Sequence, residues 1–118
     1  MAGDPIDGQI LLLTAAKASV GPQRLPDLVD VVGADLRPRF DTYAREYEVA
    51  YETDEYTAFF VEDGHWETIA ERVDVTDREI DAVRRAHHEQ LARYGRRNDR
   101  TEEFESALEI RDCVLIER

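Results

Sequence analysis

This 118-residue sequence has a single cysteine, no long apolar run and no basic residue among its first ten. Cys113 is its one cysteine, which excludes an internal disulfide and a cysteine-rich zinc site. No apolar run approaches the length of a membrane span, and the first residues lack the basic region of a signal peptide. We therefore predict a soluble, cytoplasmic protein with no membrane partner.

Signatures of catalysis and cofactor binding are missing as well. The sequence has no phosphate-cradling glycine loop and no dinucleotide fingerprint, and Ser19 and Ser106 lack the glycine context of a nucleophile elbow. Cys113 lies in an apolar run, where a thiol behaves as a small hydrophobic group with a raised pKa. We predict that the protein is not an enzyme and binds no cofactor.

The three histidines are not spaced as metal ligands. His87 and His88 are adjacent, so on a helix their side chains diverge by about 100° and cannot bind one ion together. His87 falls within an apolar stripe and is predicted to be a partly buried, hydrogen-bonded side chain. We predict that His65 is a loop residue, and the alternative is that it pairs with Asp63 or Glu67. No metal ligand is assigned.

Lysine is nearly absent too, and its absence accompanies an excess of acid. Asp and Glu number 27 against 15 Lys and Arg, and Lys17 is the single lysine. In these two biases the sequence resembles the short acidic proteins of haloarchaea. These organisms live at salt concentrations where the Debye length is about 3 Å. The resemblance implies that the net charge of −12 reports the habitat and excludes neither nucleic acid nor a protein partner.

The length of the chain predicts a single domain over residues 1–118. Its hydrophobic periodicity predicts a mainly α fold, a bundle of about five helices. The first helix should run from Asp4-Pro5 to Ala18. Its wide apolar face is typical of a central helix that packs on several sides. That face consists of Ile6, Ile10, Leu11, Leu12 and Leu13.

The next two helices are separated by a proline. The second opens at Pro26 and should break near Pro38, because proline cannot continue a helix. The third carries an aromatic stripe, whose members are Phe40, Tyr43, Tyr47 and Tyr51. Such a stripe is typical of a core seam, although it also fits a platform on which nucleic-acid bases stack.

Two segments lack a helical period and are predicted to be strands. Residues 56–62 are rich in aromatic and β-branched types, and residues 113–117 follow a short helix that begins at Thr101. We predict that these strands pair as a short two-stranded ribbon lying on the helices. The ribbon resembles the wing of a winged-helix protein, except that its strands are far apart in sequence.

Residues 66–94 contain two helical patterns joined by a short turn. The first pattern ends at Val73, and Thr76 with Glu79 matches the capping box that opens the second, longer helix. The second helix has one apolar stripe, formed by Ile80, Val83, His87, Leu91 and Tyr94.

This arrangement resembles a helix-turn-helix DNA-binding motif over residues 66–85. The resemblance implies a scaffold that holds the helices at their crossing angle, formed by Trp66, Ile69, Ala70, Val75, Ile80 and Val83. It also implies nucleic-acid contacts from the second helix, made by Asp77, Arg78, Asp81, Arg84, Arg85 and Arg93. Asp74 stands where the family most often has glycine, and the second helix is longer than a usual recognition helix.

The charge along the second helix fits two interpretations. Residues 78–100 contain seven arginines against four acids, which is typical of a phosphate-facing surface. The same residues fit a solvated helix stabilised by pairs four residues apart, Asp81 with Arg85 and Glu89 with Arg93. In a saline cytoplasm phosphate contacts weaken, so DNA binding would depend on contacts with base edges.

Two functional hypotheses follow. The first is a small non-enzymatic transcription regulator that binds double-stranded DNA as a homodimer. The second is a protein-interaction or adaptor subunit, which predicts a hydrophobic patch left exposed once the core has formed. An enzyme would need a pocket of convergent polar groups, and the sequence suggests no residues for one.

Overall fold

Helices dominate residues 6–118, the part of the chain that the computed structural model describes. The helices are α1 (Gly8–Ala18), α2 (Arg24–Leu36), α3 (Phe40–Glu46), α4 (His65–Val73), α5 (Asp77–Arg97) and α6 (Thr101–Leu108). The strands are β1 (Glu48–Glu52), β2 (Tyr56–Glu62) and β3 (Arg111–Glu117). The mainly α architecture is confirmed. Asp4-Pro5, the predicted start of the first helix, lies outside the described residues.

The strands form one antiparallel sheet in the order β1-β2-β3. Phe59 of β2 pairs with Val49 on one side and Val114 on the other, and the register shifts between Val49 and Tyr51. The predicted pairing of residues 56–62 with the last strand is confirmed. The prediction of only two strands is wrong, because β1 occupies the other edge of β2.

Residues 48–52 were predicted to continue the third helix, and the structure shows why they do not. The helix α3 ends at Glu46, and Tyr51 is buried in the sheet, with its ring 3.6 Å from that of Tyr94. Its hydroxyl lies 2.6 Å from that of Tyr56. The open edge of β2 offers backbone partners and a packed site for an aromatic side chain, and this tertiary context overrides a three- and four-residue spacing.

Pro38 ends α2 as predicted. The residues Arg37–Arg39 form a 3-10 turn that leads into α3, a geometry that tolerates a proline near its start. The helix α2 itself begins at Arg24, so that Pro26 lies in its first turn.

The central helix is α5, and the prediction that the first helix is central is wrong. Contacts with α1, α2, α4, α6 and β3 surround α5. Ala82, on the side of α5 opposite its apolar stripe, is fully buried, which fits a helix with neighbours on several sides. On α1, by contrast, Leu12 is 61% and Leu13 is 56% exposed. The helix α1 packs mainly on α5 and less extensively on α2, which leaves part of so wide an apolar face uncovered.

Two side chains, Trp66 and His87, join α4, α5 and β3. The Trp66 indole N–H donates to the Cys113 carbonyl oxygen over 3.0 Å, and its ring meets His87 edge-on at 4.7 Å. The backbone N–H of Leu115 donates to His87 Nδ1 over 3.0 Å. Burial, followed by the charge of His88, lowers the pKa of His87 to about 3. Burial likewise raises the pKa of the Cys113 thiol, as predicted.

Candidate functional site

The helix pair α4–α5 has the local geometry that its residues predict. The Thr76 side chain accepts from the Glu79 N–H over 3.2 Å, and the Glu79 carboxylate accepts from the Thr76 N–H over 3.1 Å, which completes the capping box. Asp74, with φ of 55°, takes the left-handed conformation for which helix-turn-helix proteins most often use glycine. The helix ends and the three-residue turn are therefore confirmed.

A cleft of about 800 Å³ opens between α4 and α5, and we call it the acidic cleft. The predicted scaffold residues Trp66, Ala70, Val75 and Ile80 line it, whereas Ile69 and Val83 are fully buried. Its acidic lining consists of Asp63, Glu67, Glu71, Asp74, Asp77, Asp81 and Asp112. One arginine, Arg84, accompanies these carboxylates. A surface with this charge repels the phosphates of DNA.

Several arginines predicted to contact nucleic acid are held by acids of the same chain. Arg84 pairs with Asp81 at 2.8 Å, and Arg85 pairs with the same carboxylate at 2.9 Å. Arg93 contacts Asp7 at 2.8 Å, so its predicted pairing with Glu89 is replaced by one with the residue before α1. Of the other predicted contacts, Asp77 and Arg78 are exposed at the start of α5.

A second depression, of about 400 Å³, lies between α1 and α5, and we call it the basic groove. Its charged and ionisable lining consists of Lys17, Arg84, Arg85, His88, Glu89, Arg93 and Arg96. The groove thus collects three of the predicted nucleic-acid contacts, together with the single lysine of the chain. A basic surface is more informative than an acidic one in a protein with a net charge of −12.

The two helices that form the basic groove run antiparallel. The backbone N–H of Asp7, just before α1, donates to Gln90 over 2.9 Å. Arg24, which follows α1, pairs with Glu79 at 3.0 Å, so the far end of α1 lies towards the start of α5. Ile10 and Thr14 are buried in the groove.

A partly buried network separates the two depressions. Asp112 on β3 is 6% exposed, and its carboxylate lies 2.7 Å from His88 Nε2 and 3.6 Å from the Arg84 guanidinium. Arg84 lines both depressions, Asp112 lines the acidic cleft and His88 lines the basic groove. Burial lowers the pKa of His88, and the hydrogen bond to Asp112 opposes that shift.

His65 belongs to a cluster that the sequence analysis missed. It is the first residue of α4, so the predicted loop position is wrong. Its Nδ1 lies 2.9 Å from Glu62, so the alternative of a pairing with Asp63 or Glu67 is wrong as well. Its Nε2 lies 2.5 Å from the Tyr43 hydroxyl, and burial raises the pKa of Tyr43. In the sequence, this cluster is indicated only by Glu62, which lies three residues before His65. Neither the acidic cleft nor the basic groove reaches this cluster.

The exposed surface of α1 was also missed as a candidate site. Leu13 lines the basic groove, and Leu12 is its exposed neighbour. The pattern Ile10, Leu13, Thr14 and Lys17 has three- and four-residue spacing, which places these side chains on one side of the helix. This side of α1 can be identified from the sequence, but how much of it stays exposed depends on where α5 packs.

Within residues 6–118, no three His, Cys, Asp or Glu side chains are grouped as ligands of a metal ion. The same part of the chain has no helix that is both long and apolar enough to cross a membrane.

Comparison with known proteins identifies a family without assigning it a function. No curated protein and no solved structure matches the chain. One family model, described as a domain of unknown function (DUF8048), matches residues 4–118. Since this match covers nearly the whole sequence, the chain belongs to the DUF8048 family.

Proposed function

We propose that the protein is a non-enzymatic interaction module that docks a partner protein on the surface formed by α1 and α5. The observation that carries the proposal is the exposure of two adjacent leucines, Leu12 at 61% and Leu13 at 56%. A single exposed apolar side chain is ordinary, but a leucine pair beside a charged groove has the composition of a binding surface. A hydrophobic patch of this kind is what the adaptor hypothesis predicts.

The chemistry of this surface suits recognition of another protein. Leu13 supplies apolar area that a partner can bury, which contributes about 25 cal/mol per Å² removed from water. The arginines and the lysine of the basic groove surround it and favour one charge pattern over others. Apolar contact therefore provides affinity, and the charges provide selectivity.

Photo-crosslinking from Leu13 tests this proposal. A photoreactive amino acid at Leu13 should yield a discrete crosslinked protein in the cells that produce the chain, because the partner covers this position. The same amino acid at Ala44, exposed on α3, serves as the matched control and should yield none. Leu12→Glu should remove the product by placing a charge in the buried contact. Equal products from both positions, or a product that survives Leu12→Glu, would exclude the proposed surface.

DNA binding through α4 and α5 is a second candidate function. The capping box at Thr76 and the left-handed Asp74 favour it, since they produce the tight turn that a helix-turn-helix needs. Its difficulty is electrostatic, because a recognition helix flanked by the acidic cleft must approach phosphates against repulsion.

Selection of bound sequences from a random duplex pool, at both low and multimolar potassium chloride, tests this second candidate. We expect the wild-type protein to enrich no sequence that Arg85→Glu does not also enrich, because Asp81 already neutralises Arg85. Arg45→Glu, an exposed change on α3, is the control for net charge. A motif enriched by the wild type and by Arg45→Glu, but lost with Arg85→Glu, would establish DNA binding and remove the preference for a protein partner.

A further inference from the structure

We infer that the occupant of the basic groove is an acidic amphipathic helix of the partner protein. Its central apolar side chains pack on Leu13, and its carboxylates near both ends meet Lys17 and Arg96. This inference rests on the proposed function, since it names the partner segment that the same surface would bind.

The shape of the basic groove selects a helix. Two antiparallel helices, α1 and α5, leave a furrow between them, and a third helix packs in such a furrow by placing its side-chain ridge there. On α5 the residues that line the groove run from Arg84 to Arg96, and the stretch between the exposed Arg85 and Arg96 is about 16 Å, or three turns, at the usual helical rise. A partner helix of three to four turns spans this length.

The charges that remain available lie towards the two ends of the groove. Within the part of the chain that the structure describes, Lys17 and Arg96 form no ion pair, whereas Arg85 and Arg93 are paired with acids of this chain. Arg96 lies on the last turn of α5, and Lys17 lies on the last turn of the antiparallel α1. A partner gains most by placing one carboxylate near each end, about ten or eleven residues apart on a helix.

The middle of the groove restricts which side chains the partner helix can place there. Glu89 lines it between the two available cations, and Leu13 supplies an apolar surface beside it. A carboxylate in the middle turns of the partner would be repelled by Glu89, while an apolar side chain would bury surface against Leu13. The partner helix is therefore acidic towards its ends and apolar in the centre.

The same features favour a protein over a nucleic acid. A nucleic-acid strand presents phosphates at regular short intervals, so its central phosphates would face Glu89 and Leu13. Neither side chain offers a phosphate a favourable contact. An amphipathic helix, in contrast, alternates charge and apolar surface at the spacing of this groove.

Selection from a display library of helical 18-residue peptides tests the inference. The wild type should enrich peptides that carry acidic residues ten or eleven positions apart on either side of apolar residues. The double variant Lys17→Glu/Arg96→Glu should instead enrich peptides with basic residues at those positions. Arg45→Glu/Arg78→Glu changes two exposed arginines outside the groove by the same total charge, and it should select the same peptides as the wild type.

Affinity of the selected peptides supplies the quantitative test. A wild-type-selected peptide should bind the Lys17→Glu/Arg96→Glu variant at least tenfold more weakly, and replacing its two end carboxylates with lysine should restore binding to that variant. Enrichment of no peptide by the wild type, or of peptides without acidic ends, overturns the inference. If Leu13 still yields its crosslinked partner, the proposed function survives that failure. Absence of the crosslink removes the function itself.

Discussion

Replacing Trp66 with alanine should lower the free energy of unfolding by about 3–5 kcal/mol, the usual loss when a fully packed tryptophan is removed. Trp66 is 2% exposed, contacts the ring of His87 and donates its indole N–H to Cys113. Its removal leaves a cavity where α4, α5 and β3 meet. Urea denaturation followed by circular dichroism measures the loss. Tryptophan fluorescence cannot follow this variant, since the chain has one tryptophan.

Trp66→Phe separates the two contributions of this side chain. Phenylalanine keeps most of the apolar contact with His87 but cannot donate to the Cys113 carbonyl, so the expected loss is about 1–3 kcal/mol. Thr68→Ala, an exposed change on the same helix, should alter stability by less than about 0.5 kcal/mol. A loss below 1 kcal/mol for Trp66→Ala would mean that α4 is held by other contacts.

Acid should destabilise the fold through His87. Burial lowers the pKa of His87 to about 3 in the folded protein, against about 6.5 in an unfolded chain. The unfolded chain therefore binds the extra proton first as the pH falls. The stabilisation is fully present above about pH 6.5 and decreases towards pH 3, with a limiting slope of about 1.4 kcal/mol per pH unit.

His87→Gln is the variant that isolates this titration. Glutamine retains an acceptor for the Leu115 N–H but does not ionise, so the variant should be less stable than the wild type at pH 7. Its stability should also fall less steeply between pH 6.5 and 5, by roughly 2 kcal/mol over that window. His88→Gln is the control, and its effect on the slope should be smaller because Asp112 opposes the shift at His88. Parallel pH profiles for His87→Gln and the wild type would contradict the assignment.

The elements that the sequence predicted well are those fixed by local chemistry. Thr76 and Glu79 satisfy each other's backbone N–H groups within four residues, so the start of α5 needed no knowledge of the rest of the chain. Pro38 interrupts α2 for an equally local reason. The concentration of aromatic and β-branched residues in residues 56–62 likewise located β2.

The prediction failed where distant segments decide the outcome. Tyr47 and Tyr51 have helical spacing, and only the open edge of β2 makes β1 a strand. The apolar face of α1 is wide enough for a central helix, yet the position of α5 leaves Leu12 and Leu13 exposed. Hydrophobic periodicity shows that both α1 and α5 have an apolar face, but it does not show which of the two helices will be surrounded by others.

The candidate site was predictable only as a set of charges along one helix. Arginines of α5 can be counted in the sequence, and Asp81 of the same helix pairs with two of them, but other acids that face them come from other elements. Asp7 reaches Arg93 from the start of α1, and Asp112 reaches Arg84 from β3. The same is true of Lys17, which joins the basic groove through the packing of α1 on α5.

The order of the strands has a consequence for synthesis on the ribosome. The strands β1 and β2 are consecutive, whereas the partner of the other edge of β2 begins only at Arg111. Until α4, α5, α6 and β3 have been translated, the β1–β2 hairpin, which contains Phe59 and Phe60, has one edge of β2 unpaired. At about 5–20 residues per second this interval lasts several seconds, during which an apolar edge is open to pairing with other chains. The nascent chain is therefore most exposed to mispairing in the interval between the synthesis of β2 and that of β3.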